Sequence, residues 1–216
     1  MSMLLRLRLW VADRPGALGQ VTRELGACGA DIVQVSVLNR EQGRALDEIT
    51  VFLPEEHKRP ALEAALRSLG KGDGVTLEGM RPSTEVPGAF PDLDLLGRIA
   101  ADPRAALNLL ADALPRILAA DWALVIPEHG SGVLARSWSA PTDPVLPDLP
   151  AQAGSITVGA THYAIAPVGA SGVNALVCRR GDPGFHRFET MRLTRLADVT
   201  AAVAGARLLP RGGARV

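Results

Sequence analysis

The chain has 216 residues, with 23 Lys plus Arg against 23 Asp plus Glu, 47% hydrophobic residues and only 4% aromatic ones. This length suits one large domain or two small ones. The balanced charge offers no global field for nucleic acid or an anionic membrane, and the scarcity of aromatics argues against a base-stacking surface. Cys28 and Cys178 fall on a helical apolar face and in a strand-like run, so both are expected as buried free thiols rather than a disulfide or metal site. No stretch reads as a membrane span, and Arg6, Arg8 and Trp10 interrupt an N-terminal run that lacks a signal-type cleavage site. A soluble cytoplasmic protein is the expectation.

In chain order, Leu5, Leu7, Leu9 and Val11 alternate with Arg6, Arg8 and Trp10, the period of a half-buried strand. Asp13-Arg14-Pro15-Gly16-Ala17-Leu18 follows. Asp13 is expected to cap a helix whose first turn Pro15 sets. Gly16 lets another group approach the backbone, and the bare N–H groups of that helix start make a seat for an anionic group. The helix is predicted from about Pro15 to Cys28, with Leu18, Val21, Leu25 and Cys28 on one face and Gly29 as its stop. Asp31 precedes a second strand in which Val33, Val35 and Val37 alternate with Gln34, Ser36 and Leu38. Glu41-Gln42-Gly43 reads as a turn, and Ile49, Val51 and Leu53 share one face of a third strand. Pro60 opens a second helix with Leu62, Ala65, Leu66 and Leu69, ending at Gly70, and a last strand carries Val75 and Leu77.

The order βαββαβ, with one apolar face per strand and two helices to cover it, is the ferredoxin-like plan of an α+β domain. Its other sheet face is expected to show Trp10, Gln34, Ser36, Leu38, Thr50 and Phe52 between Arg6, Arg8 and Glu48, either as solvated sheet or as a contact surface. Through Asp13-Arg14-Pro15-Gly16-Ala17-Leu18 and Gly29-Ala30-Asp31-Ile32, residues 3–81 resemble an ACT domain, a small ligand-sensing module of amino acid metabolism. The resemblance implies a homodimer of domains side by side with a small amino acid at the interface. The implied ligand-binding residues are Asp13, Gly16, Ala17 and Leu18 from one copy and Asp31 and Ile32 from the other. Backbone N–H groups near Gly16 to Leu18 would take the ligand carboxylate, and Asp13 or Asp31 its ammonium. The alternative is that Asp13 is only a cap and Asp31 only a turn residue.

Residues 82–91 carry three prolines and no period, the mark of a stiff linker between a 1–81 domain and a second one. Helices are predicted at about Asp92 to Ala101 and Pro103 to Ala120, with Pro115 kinking or splitting the latter. Strands are predicted at Trp122–Pro127, Gly132–Trp138, Thr161–Val168 and Val173–Arg179, then a helix from about His186 to Leu208, before a 210–216 tail. Leu193, Leu196, Thr200 and Val203 form a stripe that packs on the domain or pairs with a second copy, and Arg192, Arg195 and Arg207 read as a solvated face. Asp121 to Pro127, Tyr163 to Val168, and the run from Phe185 and Phe188 to Ala197 make residues 92–209 resemble a GAF domain, which implies a sensor or dimerisation module around an antiparallel sheet. Four prolines in 139–150 replace pocket-lining helices, which reads as an extended connector or a lid.

His57, His129, His162 and His186 show no metal-ligand spacing, Gly130-Ser131-Gly132 is no nucleophile elbow, and Lys71-Gly72-Asp73-Gly74 lacks the phosphate-loop order. No catalytic residue, metal or cofactor is therefore expected. The leading expectation is a non-catalytic regulatory protein that binds an amino acid between two ACT-like domains and signals through the GAF-like domain to an unknown target. The alternative is a structural or interaction protein whose ligand sites are degenerate.

Overall fold

The computed structural model of the protein describes residues 1–70, 74–83, 90–129 and 132–205. It divides into two compact units, Met1–Pro87 and Gly88–Val216. The Lys71-to-Gly74 run and Gly130-Ser131-Gly132 fall largely outside the described residues, as do most of the linker, Arg207 and the tail.

The first unit runs β1 (Met3–Ala12), α1 (Ala17–Ala27), β2 (Asp31–Glu41), β3 (Arg44–Leu53), α2 (Arg59–Leu69) and β4 (Thr76–Ser83). Its four strands lie in the order β2-β3-β1-β4, with antiparallel neighbours throughout. This is the expected βαββαβ architecture, with Pro82 and Ser83 included in β4. Leu5, Leu7 and Leu9 of β1 and Ile49, Val51 and Leu53 of β3 are fully buried with Val21 and Leu25 of α1 and Leu62 and Leu66 of α2. Each such side chain stabilises the fold by about 2 kcal/mol through burial. The β2–β3 hairpin closes at Gln42 (φ 50°) and Gly43 (φ 73°), a pair of positive φ values that matches strand twist across a two-residue loop.

One element departs from expectation. Val33, Val35 and Val37 stay 40%, 40% and 51% exposed, and Ile32 is 39% exposed. Alternation selects a face, but β2 is the sheet edge, where the helices do not reach. The register also slips at Val33 and Leu38, as two bulges do. On the opposite sheet face Arg8 and Thr50 are buried rather than solvated, and Arg8 donates to Glu48 at 3.1 Å. The indole N–H of Trp10 donates to Glu78 at 2.6 Å.

The second unit opens with α3 (Pro91–Ala101) and α4 (Ala106–Ile117), continues through β5 (Trp122–Pro127), β6 (Ala135–Arg136), β7 (Gly154–Val158), β8 (Thr161–Pro167) and β9 (Val173–Arg180), and closes with α5 (Arg187–Ala204). The sheet order is β6-β5-β9-β8-β7, again antiparallel. Pro115 does not split α4: it lies in the last turn, where little helix remains to be broken. The strand expected over Gly132–Trp138 shrinks to two residues, and beyond it the Trp138 N–H donates to the Asp112 carboxylate at 3.1 Å. β7 was not anticipated.

Helices cover one sheet face, packing on Ala123, Val125, Ala164, Ala175 and Val177. On the other face Trp122, Leu124, Tyr163 and Leu176 meet Leu146 and Leu149 of the proline-rich connector, which has no helix. Cys178 is buried there and Cys28 is half-buried in the first unit, and neither forms a disulfide among the described residues. Arg192 is half-buried rather than fully solvated: its guanidinium donates to Asp92 at 2.6 and 3.0 Å, tying α5 to α3. No helix of the described residues is long and apolar enough to cross a membrane.

Candidate functional site

The β1–α1 junction is a built turn. The Ala17 N–H donates to Arg14 O at 3.2 Å, with Pro15 and then Gly16 (φ 82°, ψ −10°) between them, the signature of a type II turn. Helix α1 therefore begins after this turn, with Gly16 as its N-cap and no side-chain cap. Asp13 is three residues too early to cap it, and its N–H is instead held by Gly43 O at 2.8 Å, pinning the loop to the β2–β3 hairpin. Of the expected anion-binding groups, the Ala17 N–H is spent on the turn. Those of Gly16 and Leu18 take no backbone acceptor among the described residues. Asp13 and Gly16 are exposed, Ala17 is buried and Leu18 packs half-buried on the core. The N-terminal dipole of α1 adds partial positive charge at this spot.

Gly16 carries the turn. A Cβ at this position meets nothing within 4 Å, so the only penalty of a side chain is conformational. Gly16→Ala is expected to cost about 1–2 kcal/mol in chemical denaturation, the price of a left-handed L-residue. An unchanged midpoint would contradict the turn assignment.

Asp31 and Ile32 are not beside this seat in one chain. Asp31 pairs with Phe52, which pairs with Leu4 at the start of β1, whereas the seat follows Ala12 at its end. Eight residues of strand separate the two places, roughly 27 Å at about 3.4 Å per residue. A single copy thus brings Asp13, Gly16, Ala17 and Leu18 together and leaves Asp31 and Ile32 at the opposite end of the sheet.

Sequence reasoning missed Asp47. It pairs with Leu9 on one side and Val37 on the other, on the helix-covered face, and is 4% exposed. Among the described residues its Oδ1 has no hydrogen-bond partner. Burial raises its pKa above the ordinary aspartate value; Arg40 pulls it down in part, and Asp13 pushes it up further. The native state thus holds this proton at pH values where the unfolded chain has released it. Asp47 therefore lowers stability progressively as pH rises through that window, and the loss persists above it. The signal was available, since Ala45, Asp47, Ile49, Val51 and Leu53 share one strand parity. At the same end, Arg44 donates to Thr76 Oγ1 at 2.9 Å and lies 5.7 Å from the Trp10 ring centroid. Among the described residues no group of three or more metal-ligating side chains forms.

The family model of the ACT domain matches residues 5–71. No curated protein matches the chain. Among solved structures, the chain is similar to a formyltetrahydrofolate deformylase from Pseudomonas putida KT2440, with 18% identity over 46% of this chain and 38% of that one, at a TM-score of 0.34. The chain thus spans well under half of that deformylase. It is similar to the ACT domain from GTP pyrophosphokinase of Chlorobium tepidum, with 19% identity over 38% of this chain and 100% of that one, at a TM-score of 0.29. It is also similar to a candidate glycine cleavage system transcriptional repressor, with 10% identity over 94% of this chain and 92% of that one, at a TM-score of 0.37. The family match coincides with the turn at Gly16 and the β2 edge, and residues 5–71 are therefore an ACT domain.

Proposed function

We propose that the protein is a non-catalytic regulator that dimerises through the β2 edges of its ACT domains, holds a small amino acid between them, and passes its presence on through the second unit. ACT domains are regulatory, ligand-binding modules, and one observation carries the reading further: the two halves of the expected site lie at opposite ends of one sheet. Antiparallel pairing of two β2 strands about Ser36 sets Asp31 of the second copy beside Glu41, at the seat end. The same pairing faces Val35 with Val37 of the second copy and removes the exposed apolar edge. The ligand carboxylate then lies on the N–H groups of Gly16 and Leu18, and its ammonium on Asp31 of the second copy. Such charge-assisted bonds contribute about 1.5–3 kcal/mol each. Regulation follows if the ligand favours one arrangement of the two copies over another.

The second unit is read as GAF-like. Supporting this are two leading helices, a five-stranded antiparallel sheet and a closing helix. A second reading, in which both units only dimerise and the seat is degenerate, draws on the two carboxylates, Asp13 and Asp31, that would share one small site. Calorimetric titration of the full chain with each common amino acid at millimolar concentration decides between them. Saturable heat for at least one supports ligand binding. No heat and no thermal shift for any would overturn it, and binding gained only in Asp31→Asn would identify the degenerate site.

A further inference from the structure

Asp47 stands one strand in from the edge at which two copies would pair. It is 4% exposed, and among the described residues its Oδ1 has no hydrogen-bond partner. Leu9 faces it across β1 and Val37 across β2, and α1 and α2 cover the same face with apolar side chains. The charged groups that act on it are Arg40 of β2, which favours its ionised form, and Asp13 of the β1–α1 loop, which opposes it. Such surroundings hold back ionisation, because the charged carboxylate loses more hydration than the neutral acid.

In a single copy Val37, 51% exposed, stands between Asp47 and the water at the free edge. Pairing about Ser36 lays Val35 of the second copy against Val37, in a row that runs Leu9, Asp47, Val37 and then that valine. The valine takes the place of water two strand spacings from Asp47, roughly 10 Å. Two-fold symmetry does the same to Asp47 of the second copy, so both acids face one apolar seam from opposite sides. Ionising either then costs more than in the separate copies, because less water remains to screen the charge. Resting on the β2 dimer proposed above, we infer that Asp47 is a proton switch for that dimer: the copies associate most tightly with both Asp47 carboxyls protonated and part as these ionise. The dimer holds this proton more tightly than the separate copies do, so association is strongest at pH values below both titrations. It weakens as pH rises through the window between them and stays weak above it. Asp31 of the second copy, beside Glu41, is the other acidic contact that the pairing creates. Asp31 is exposed, and salt screens a contact of that kind.

Sedimentation of the full chain in about 0.15 M salt measures association from about pH 5 to about pH 8, alone and with each common amino acid at millimolar concentration. Wherever the parent dimerises, its dissociation constant is expected to rise about tenfold or more across this range. Asp47→Asn and Asp47→Ser leave no charge to bury, so both should cut that rise to about twofold or less and dimerise more tightly than the parent at the upper end. Asp31→Asn should keep the parent's dependence. A parent constant that is flat with pH, or a dependence that survives both Asp47 substitutions, overturns the inference and leaves the dimer standing. A dependence lost in Asp31→Asn but kept in Asp47→Asn overturns it too, and assigns the effect to Asp31 and Glu41. Melting curves at the upper pH show whether the variants fold, and Asp47→Asn should melt above the parent there. If both Asp47 variants melt below it, the ionised acid is stabilising and the inference fails. A chain that is monomeric under every condition removes the dimer, and the inference falls with the reading it rests on.

Discussion

Glu189→Ala is expected to destabilise the second unit by about 3–5 kcal/mol, the cost of stranding a buried cation. The cation is Arg179, fully buried where β9 passes beneath the α4–β5 connection and the start of α5. Its Nε donates to Ala119 O at 3.1 Å, and Nη1 donates to Pro183 O and Gly184 O at 3.0 Å each. Nη2 donates to Glu189 at 2.5 Å and also to Leu118 O. The Phe185 ring lies 4.1 Å from the guanidinium carbon, adding a cation–π contact. Glu189 also accepts the His186 N–H at 2.8 Å, so it closes the capping box of α5. Alanine removes the counter-charge and the cap together. A drop of roughly 10–20 °C in the melting transition of this unit follows from ordinary unfolding entropies. Glu189→Gln, which keeps a hydrogen-bonding oxygen, should fall between. A loss below about 1 kcal/mol for alanine would mean the carbonyls alone satisfy Arg179.

Val35→Asp should separate folding from assembly. Val35 is 40% exposed at the sheet edge, so the substitution should leave monomer stability within about 0.5 kcal/mol. In the proposed dimer it introduces two carboxylates among facing valines, near Asp47, which pairs with Val37. Like charges in such a place cost several kcal/mol, enough to weaken association by roughly 100-fold or more. Sedimentation of the variant should give monomer at concentrations where the parent is dimeric, with ligand heat lost in parallel. A variant that stays dimeric would move the interface away from β2.

Much of the first unit was legible because β1, β3 and both helices combine one clean period with recognisable stops, at Gly29 and Gly70. What periodicity cannot supply is position within the sheet. Val33, Val35 and Val37 read as core because alternation marks a face, yet the edge position of β2 leaves them exposed. The helix start was misplaced for a local reason: Pro-Gly can set a first helical turn or the two corners of a type II turn, and only the backbone at Gly16 distinguishes them. In the second unit, Gly154–Val158 escaped notice because a Gly-Ser start and one buried-phase isoleucine give little signal, and its pairing with β8 is what makes it a strand. Arg179 and Glu189 lie ten residues apart in sequence with no pattern linking them, so their partnership is a property of the tertiary fold.

The account stands or falls on whether ligand and second copy are required together. A native mass spectrum of the full chain, recorded with and without an amino acid that gives saturable heat in the titration, reads both at once. The account predicts a dimer that carries up to two small ligands while the monomer carries none. A monomer that retains the ligand, or a chain that stays monomeric throughout, would contradict it.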